Sequence, residues 1–141
     1  MDDSGKRLLL IGYARVSTAD QKLNLQLDAL RKAGVEDDHI HTDIMSGSAH
    51  TRPGLIDAFK DLRQGACLVV WKLDRLGRSV IGVLNTIEQI KNKGAELKSL
   101  TEAIDTRTAM GKFLVNILAS MAQMERDLII ERTVEGQKAA R

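Results

Sequence analysis

Short apolar runs alternate with segments of helical spacing along the first two thirds of the chain. The apolar runs predict four strands, at residues 8–16, 39–44, 67–71 and 95–100. Between them, apolar residues recur every three or four positions, which predicts three amphipathic helices. Strands that alternate with helices are typical of a mostly parallel sheet flanked by helices. We therefore expect an α/β fold.

Cap residues and glycines mark where these helices begin and end. Thr18 and Asp20 offer N-cap chemistry to the first helix, which continues to Ala33, and Ser79 offers it to the third. Glycine follows each amphipathic segment, at Gly34, Gly65 and Gly94. Residues 45–54 are small, polar or turn-forming, and they predict a mobile surface loop before the second helix.

The C-terminal third carries an uninterrupted helical pattern. Its apolar stripe comprises Phe113, Leu114, Ile117, Leu118, Met121, Met124, Leu128 and Ile129. A helix over residues 108–141 would be roughly 50 Å long, too long for the sheet before it to cover. We expect an α/β domain over residues 1–107 and a long helix over 108–141 that associates with a partner helix. A helix folded entirely onto its own core is the alternative.

Composition limits the class of protein. The 141 residues are 43% hydrophobic and 28% charged, as in a soluble globular domain, with no signal-peptide or membrane-spanning pattern. The single cysteine, Cys67, excludes an internal disulfide and fits a reducing, cytoplasmic compartment. His39, His41 and Asp43 alternate and could form a metal face, but unliganded histidines are the commoner case, so no metal is predicted. The net charge of +2 does not by itself indicate a nucleic-acid partner.

Two polar motifs follow predicted strands. Tyr13, Arg15 and Ser17 alternate, so they point to the same side of an extended chain, and Ser17 lies where strand gives way to helix. Ligands bind at this carboxyl edge in open α/β sheets. A hydroxyl close to a guanidinium, near a helix N-terminus, suits a phosphate. In a plainer interpretation, Ser17 is only a helix cap.

The second motif, residues 73–79, supplies Asp74, Arg75 and Arg78. A parallel sheet would bring it to the same edge as the first motif. Three guanidiniums around one serine suit a phosphodiester, because they stabilise the charge of its transition state. Neither motif has a neighbouring histidine for a Ser-His-Asp hydrolase, and the chain has no GxxxxGK[ST] loop. Phosphoryl transfer with a covalent intermediate remains, unless the arginines are only a solvated face paired with Asp74.

Three stretches together resemble the serine recombinases, the resolvase/DNA-invertase family. They are YARVST at 13–18, LDRLGR at 73–78 and MERDLIIERT at 124–133, in order along almost the whole chain. The block WKLDRLGRS at 71–79 is closer to the invertase branch.

The resemblance implies a catalytic domain over residues 1–107 in which Ser17 attacks the scissile phosphate and forms a 5′-phosphoserine. Arg15, Arg75 and Arg78 would contact that phosphate, and Asp74 would orient the arginines. The substrate pocket would be completed by Tyr13, Gln21, Gln26, Asp43, Ser46 and Arg52. Glu131 and Arg132 would lie near the active site and the subunit interface.

The resemblance also implies partners. These are double-stranded DNA, a homodimer that converts to a homotetramer, and an accessory DNA-bending protein as a further candidate, with no cofactor and no membrane. Relatives usually continue into a helix-turn-helix domain, which we expect to be absent here, so that recognition of a specific site would be weak or lost. A non-catalytic DNA-associated oligomerisation module and a phosphoesterase with a phosphoserine intermediate are the alternative functions.

Overall fold

The structure, a computed structural model, describes residues 8–17, 22–45 and 52–139. Its strands are β1 (Leu10–Ser17), β2 (Ile40–Met45), β3 (Cys67–Val70), β4 (Glu96–Ser99) and β5 (Ile104–Asp105). Its α-helices are α1 (Lys22–Lys32), α2 (Pro53–Asp61), α3 (Val80–Asn92) and α4 (Ala109–Ala139). Short 3-10 turns lie at Asp37–His39 and Leu73–Arg75.

The strands form one sheet in the order β2-β1-β3-β4-β5. The first four strands are parallel, and β5 pairs antiparallel with β4. The predicted α/β fold with a mostly parallel sheet is confirmed. β1 lies between β2 and β3, so the carboxyl ends of β1 and β3 lie side by side at the edge where such sheets bind ligands.

Helices cover both faces of the sheet. Ile11 and Tyr13 of β1 are buried in a core that β1 shares with α2, α3 and the first half of α4. Ala14 belongs to a second core, which Leu30 of α1 helps to form. All four residues of β3 are buried. Burial on both faces explains why the central strands appear in the sequence as continuous apolar runs.

The second helix begins earlier than predicted. Met45 belongs to β2, and Pro53 and Gly54 belong to α2, so the predicted loop over 45–54 is wrong at both ends. Residues 46–51 lie outside the described residues. Proline is well suited to a first helical turn, because the N–H that it lacks has no partner there. The Asp43 carboxylate accepts hydrogen bonds from the N–H groups of Gly54 and Leu55, at 2.8 and 3.1 Å, and so caps the helix.

Gly34 and Gly94 follow the ends of α1 and α3 as predicted, whereas α2 ends at Asp61, before the predicted closing residue Gly65. The Ser79 hydroxyl accepts a hydrogen bond from the N–H of Gly82 at 3.1 Å, which confirms the predicted N-cap of α3. Thr18 and Asp20, the predicted caps of α1, lie outside the described residues. His39 belongs to a 3-10 turn and not to a strand, so β2 begins at Ile40.

The long helix α4 packs on its own protomer only through its first half. Val115, Leu118 and Ala122 join the core, and the described side chains after Ala122 are exposed apart from Glu125. The helix exposes many large apolar side chains: Met110, Phe113, Ile117, Met121, Met124, Leu128, Ile129, Ile130 and Val134. A helix folded entirely onto its own core is therefore wrong. No helix in the described part of the chain is long and apolar enough to cross a membrane.

Candidate active site

Gln26 of α1 holds the end of β1. The pairing of β1 with β3 ends at Tyr13 and Val70, so β1 continues past its neighbour. The fully buried Gln26 amide takes over the backbone of Arg15: its Oε1 accepts the Arg15 N–H at 3.2 Å, and its Nε2 donates to the Arg15 carbonyl at 3.1 Å. One glutamine therefore replaces a strand partner at the edge where the candidate site begins.

The two polar motifs meet at this edge. Nη2 of Arg15 donates to the backbone carbonyl of Asp74 at 2.6 Å. Nε of Arg75 donates to Oε1 of Gln26 at 3.3 Å, and its Nη1 lies 3.0 Å from Oδ1 of Asp74. The Arg75 guanidinium also lies over the ring of Trp71, 5.5 Å from its centroid. Arg15 of β1 and Arg75 of the turn that follows β3 are thus joined through Asp74 and Gln26.

Arg52 and Arg78 complete a cluster of four guanidiniums. Arg52, the N-cap residue of α2, donates through Nη1 to the carbonyl of Leu76 at 3.0 Å. The pKa of Arg15 is lowered, first by burial and then by the positive charges of Arg52, Arg75 and Arg78. Arg78 is exposed. This concentration of positive charge at the carboxyl edge suits an anion such as a phosphodiester.

Tyr13 and Asp43 lie beneath the cluster. The Tyr13 hydroxyl donates to Oδ2 of Asp43 at 2.7 Å, and both side chains are buried. Burial and this hydrogen bond raise the pKa of Tyr13 above its ordinary value. Because Asp43 also caps α2, the pair connects β1 and β2 to the helix that carries Arg52. These residues support the site from below.

The remaining candidate residues lie at the end of β1, outside the described residues or on α4. Ser17 is the last residue of β1, opposite Met45 in β2, and its side chain is outside the described structure. Gln21 and Ser46 lie outside the described residues. Glu131 and Arg132 are exposed on α4, beyond its last buried residue, Ala122.

Two further side chains contact the segment of residues 73–78, which we call the arginine turn. Thr86 of α3 donates to the carbonyl of Leu76 at 3.0 Å. Glu102, between β4 and β5, accepts the N–H of Leu73 at 3.3 Å. The sequence pattern indicated neither residue, because both contacts are made to backbone groups that every residue type possesses.

His41 and Asp43, two residues of the alternative metal face, both have partners within the protein. Nε2 of His41 lies 2.6 Å from Oδ2 of Asp61. The Asp43 carboxylate accepts hydrogen bonds from the Tyr13 hydroxyl and from the N–H of Gly54 at the start of α2. Among the described residues, no group of three or more histidine, cysteine, aspartate or glutamate side chains could hold a metal ion.

Comparison with known proteins identifies the family. The chain matches the family model "Resolvase, N terminal domain" over residues 10–141. It belongs to the resolvase family of serine recombinases. It is 49% identical over 133 residues to the serine recombinase gin of Escherichia phage Mu, which covers 94% of this chain and 68% of that relative.

Two further comparisons agree with this assignment. The DNA-invertase hin of Salmonella typhimurium is 50% identical over 131 residues, or 93% of this chain and 68% of that relative. The N-terminal catalytic domain of TP901-1 integrase superposes with a TM-score of 0.71 at 32% identity, covering 84% of this chain and 97% of that domain. The family, the α/β fold and the resemblance inferred from the three motifs are thereby confirmed.

Proposed function

We propose that this chain is the catalytic region of a site-specific DNA recombinase, which breaks and rejoins strands through a covalent phosphoserine intermediate. One observation carries the proposal: Arg15 and Arg75 are joined through Asp74 and Gln26 beside the end of β1, where Ser17 lies. The names of the relatives, a serine recombinase and a DNA invertase, support the same activity.

In the proposed reaction, the Ser17 hydroxyl attacks the scissile phosphorus and gives up its proton. A phosphoserine ester forms on the 5′ side, and the 3′ oxygen leaves and takes up a proton. Arg15, Arg75 and Arg78 stabilise the negative charge that develops on the phosphoryl oxygens. One phosphoester replaces another, so the reverse reaction rejoins strands without ATP or a cofactor.

The other candidate residues have supporting roles in this proposal. Asp74 orients Arg15 through its carbonyl and Arg75 through its carboxylate. The substrate pocket is completed by Tyr13, Gln21, Gln26, Asp43, Ser46 and Arg52. Of these, Tyr13, Gln26 and Asp43 are buried, and we assign them the task of holding the residues that face the DNA.

The long helix α4 is the proposed assembly element, distinct from the catalytic domain over residues 1–107. Its exposed apolar surface includes a groove lined by Phe113, Ile117, Met121 and Met124. An apolar surface of this kind on a single chain favours association with another helix. In the proposal, two copies pair through α4 as a dimer, which converts to a tetramer on double-stranded DNA, with Glu131 and Arg132 near the subunit interface. An accessory DNA-bending protein is a further proposed partner.

The proposal is tested by trapping the covalent intermediate. The protein is incubated with supercoiled plasmid carrying two candidate target sites, in EDTA and without ATP, and the reaction is stopped with detergent. We expect protein attached to DNA 5′ ends and a free 3′-hydroxyl that a polymerase extends. Ser17→Ala abolishes the adduct, whereas Thr42→Ala, which removes an exposed hydroxyl from β2, retains it.

The outcomes separate the proposed function from its alternatives. An adduct that survives in Ser17→Ala contradicts the assigned nucleophile. Cleaved strands that are hydrolysed and never rejoined indicate a phosphoesterase. DNA binding and self-association without any cleavage by the wild type indicate a non-catalytic assembly module.

A further inference from the structure

The arginine turn is attached to neighbouring elements at both of its ends by side chains that lie outside it. In the C-terminal half of the turn, which we call its rear, the Thr86 hydroxyl donates to the Leu76 carbonyl at 3.0 Å. At the N-terminal end, which we call its front, both carboxylate oxygens of Glu102 lie 3.3 Å from the backbone nitrogen of Leu73. These residues come from α3 and from the segment between β4 and β5, so the turn is held between two parts of the fold.

The rear attachment also involves an arginine of the site. The Leu76 carbonyl accepts hydrogen bonds from both Thr86 and Nη1 of Arg52, each at 3.0 Å. Thr86 is buried, and its hydroxyl also lies 3.0 Å from the Gly82 carbonyl within α3. A Cβ at Gly77 would lie 2.6 Å from the backbone nitrogen of Val83, so this end of the turn is seated directly on α3.

The front attachment is itself supported. The Ser99 hydroxyl at the end of β4 donates to Glu102 and fixes the carboxylate. Ser99 is fully buried, which anchors the pair to the sheet. The 3-10 turn Leu73–Arg75 begins at the N–H that Glu102 binds, and a negative charge is favourable at the start of such a turn, where N–H groups lack internal partners.

We propose that Thr86 and Glu102 are positioning residues, which hold the arginine turn in place so that Arg75 and Arg78 face the phosphate before DNA arrives. This inference rests on the proposed function. Four guanidiniums repel one another, so an unattached turn would move its arginines apart towards solvent. Holding them together beforehand removes a reorganisation step from the reaction, and its main effect is on the rate of cleavage.

The experiment compares paired variants in single-turnover cleavage of saturating DNA and in DNA binding. Thr86→Val removes the hydroxyl at nearly constant shape, and Glu102→Ala removes the acceptor. We expect each to slow cleavage about tenfold, while the Kd for DNA changes by no more than about twofold. Of the matched variants, Thr86→Ser retains the hydroxyl donor and Glu102→Gln retains an oxygen acceptor. Both should cleave at near the wild-type rate.

A measurement without DNA tests the attachment directly. The N–H of Arg75 donates to the Lys72 carbonyl, that of Leu76 donates to the Leu73 carbonyl, and that of Leu73 donates to Glu102. In Glu102→Ala, we expect hydrogen exchange at Leu73 to accelerate about fivefold, and in Thr86→Val exchange at Leu76 to do so. Neither change should occur in the Ser or Gln variants.

Two results would overturn the inference. One is wild-type cleavage and wild-type exchange in both Thr86→Val and Glu102→Ala. The other is an equal loss in the Ser and Gln variants, which would indicate packing and not the hydrogen bond. A wild-type protein that forms no covalent adduct contradicts the proposed function alone, since exchange at Leu73 and Leu76 still determines whether the two side chains hold the turn.

Discussion

Replacement of Gln26 by methionine is the sharpest test of how the site is built. The side chain is fully buried and forms three hydrogen bonds: two to the backbone of Arg15 and one from the Arg75 guanidinium. Methionine is also unbranched and adapts to the same space, so little cavity is created. The substitution removes the hydrogen-bond partner of the partly buried Arg15 N–H and Arg15 carbonyl.

The expected loss follows from those bonds. Two neutral hydrogen bonds contribute about 1 kcal/mol each, and the longer bond to Arg75 adds less, because Asp74 still holds that guanidinium. We expect the free energy of unfolding of Gln26→Met to fall by about 2–3 kcal/mol. For a chain of 141 residues, this corresponds to a Tm lower by roughly 6–10 °C.

The assay is urea and thermal unfolding, followed by circular dichroism and by the fluorescence of Trp71, the only tryptophan. Gln89→Met, at an exposed position on α3, is the matched control and should stay within about 0.5 kcal/mol of the wild type. If Gln26→Met is as stable as Gln89→Met, the Gln26 amide does not take the place of a strand partner for β1.

Three further outcomes are expected. Tyr13→Phe should lower the free energy of unfolding by about 2 kcal/mol in urea titration, because it removes a buried donor to a carboxylate. The hydrogen bonds from Arg107 hold the pKa of Asp105 below its ordinary value, so wild-type stability should exceed that of Asp105→Asn at neutral pH. This difference should disappear as the pH falls through and below the ordinary value of about 3.9. Burial raises the pKa of the Cys67 thiol to about 11, so a thiol reagent at pH 8 should label the folded protein only as fast as it unfolds.

Apolar pattern predicted the strands that are buried on both faces and failed where an element is short. β3 is apolar throughout because helices cover both of its faces. β5 was missed because its two residues, Ile104 and Asp105, are too few to show an alternation. The start of α2 was missed because its cap, Asp43, lies in a preceding strand and not beside Pro53.

The candidate site, like the fold, was predicted only in part. Strand order alone predicts that Arg15 and Arg75 lie at one edge, because β1 and β3 are parallel neighbours. The bonds from Gln26 to the Arg15 backbone and from Thr86 to the Leu76 carbonyl were beyond prediction as contacts. They depend on where backbone groups are left without a partner, which is a property of the folded geometry.

The hydrogen-bond and ion-pair partners of the guanidiniums distinguish an anion-binding site from a solvated surface of ion pairs. Arg15 and Arg52 donate to backbone carbonyls, which orient a guanidinium but do not neutralise it. Within the described part of the chain, Asp74 is the one carboxylate in an ion pair with this cluster, and its side chain is 63% exposed. Burial lowers the pKa of Arg15, and repulsion from the positive charges of Arg52, Arg75 and Arg78 lowers it further. A phosphodiester would relieve the repulsion between these guanidiniums. The arrangement is therefore better explained as an anion-binding site than as a set of surface ion pairs.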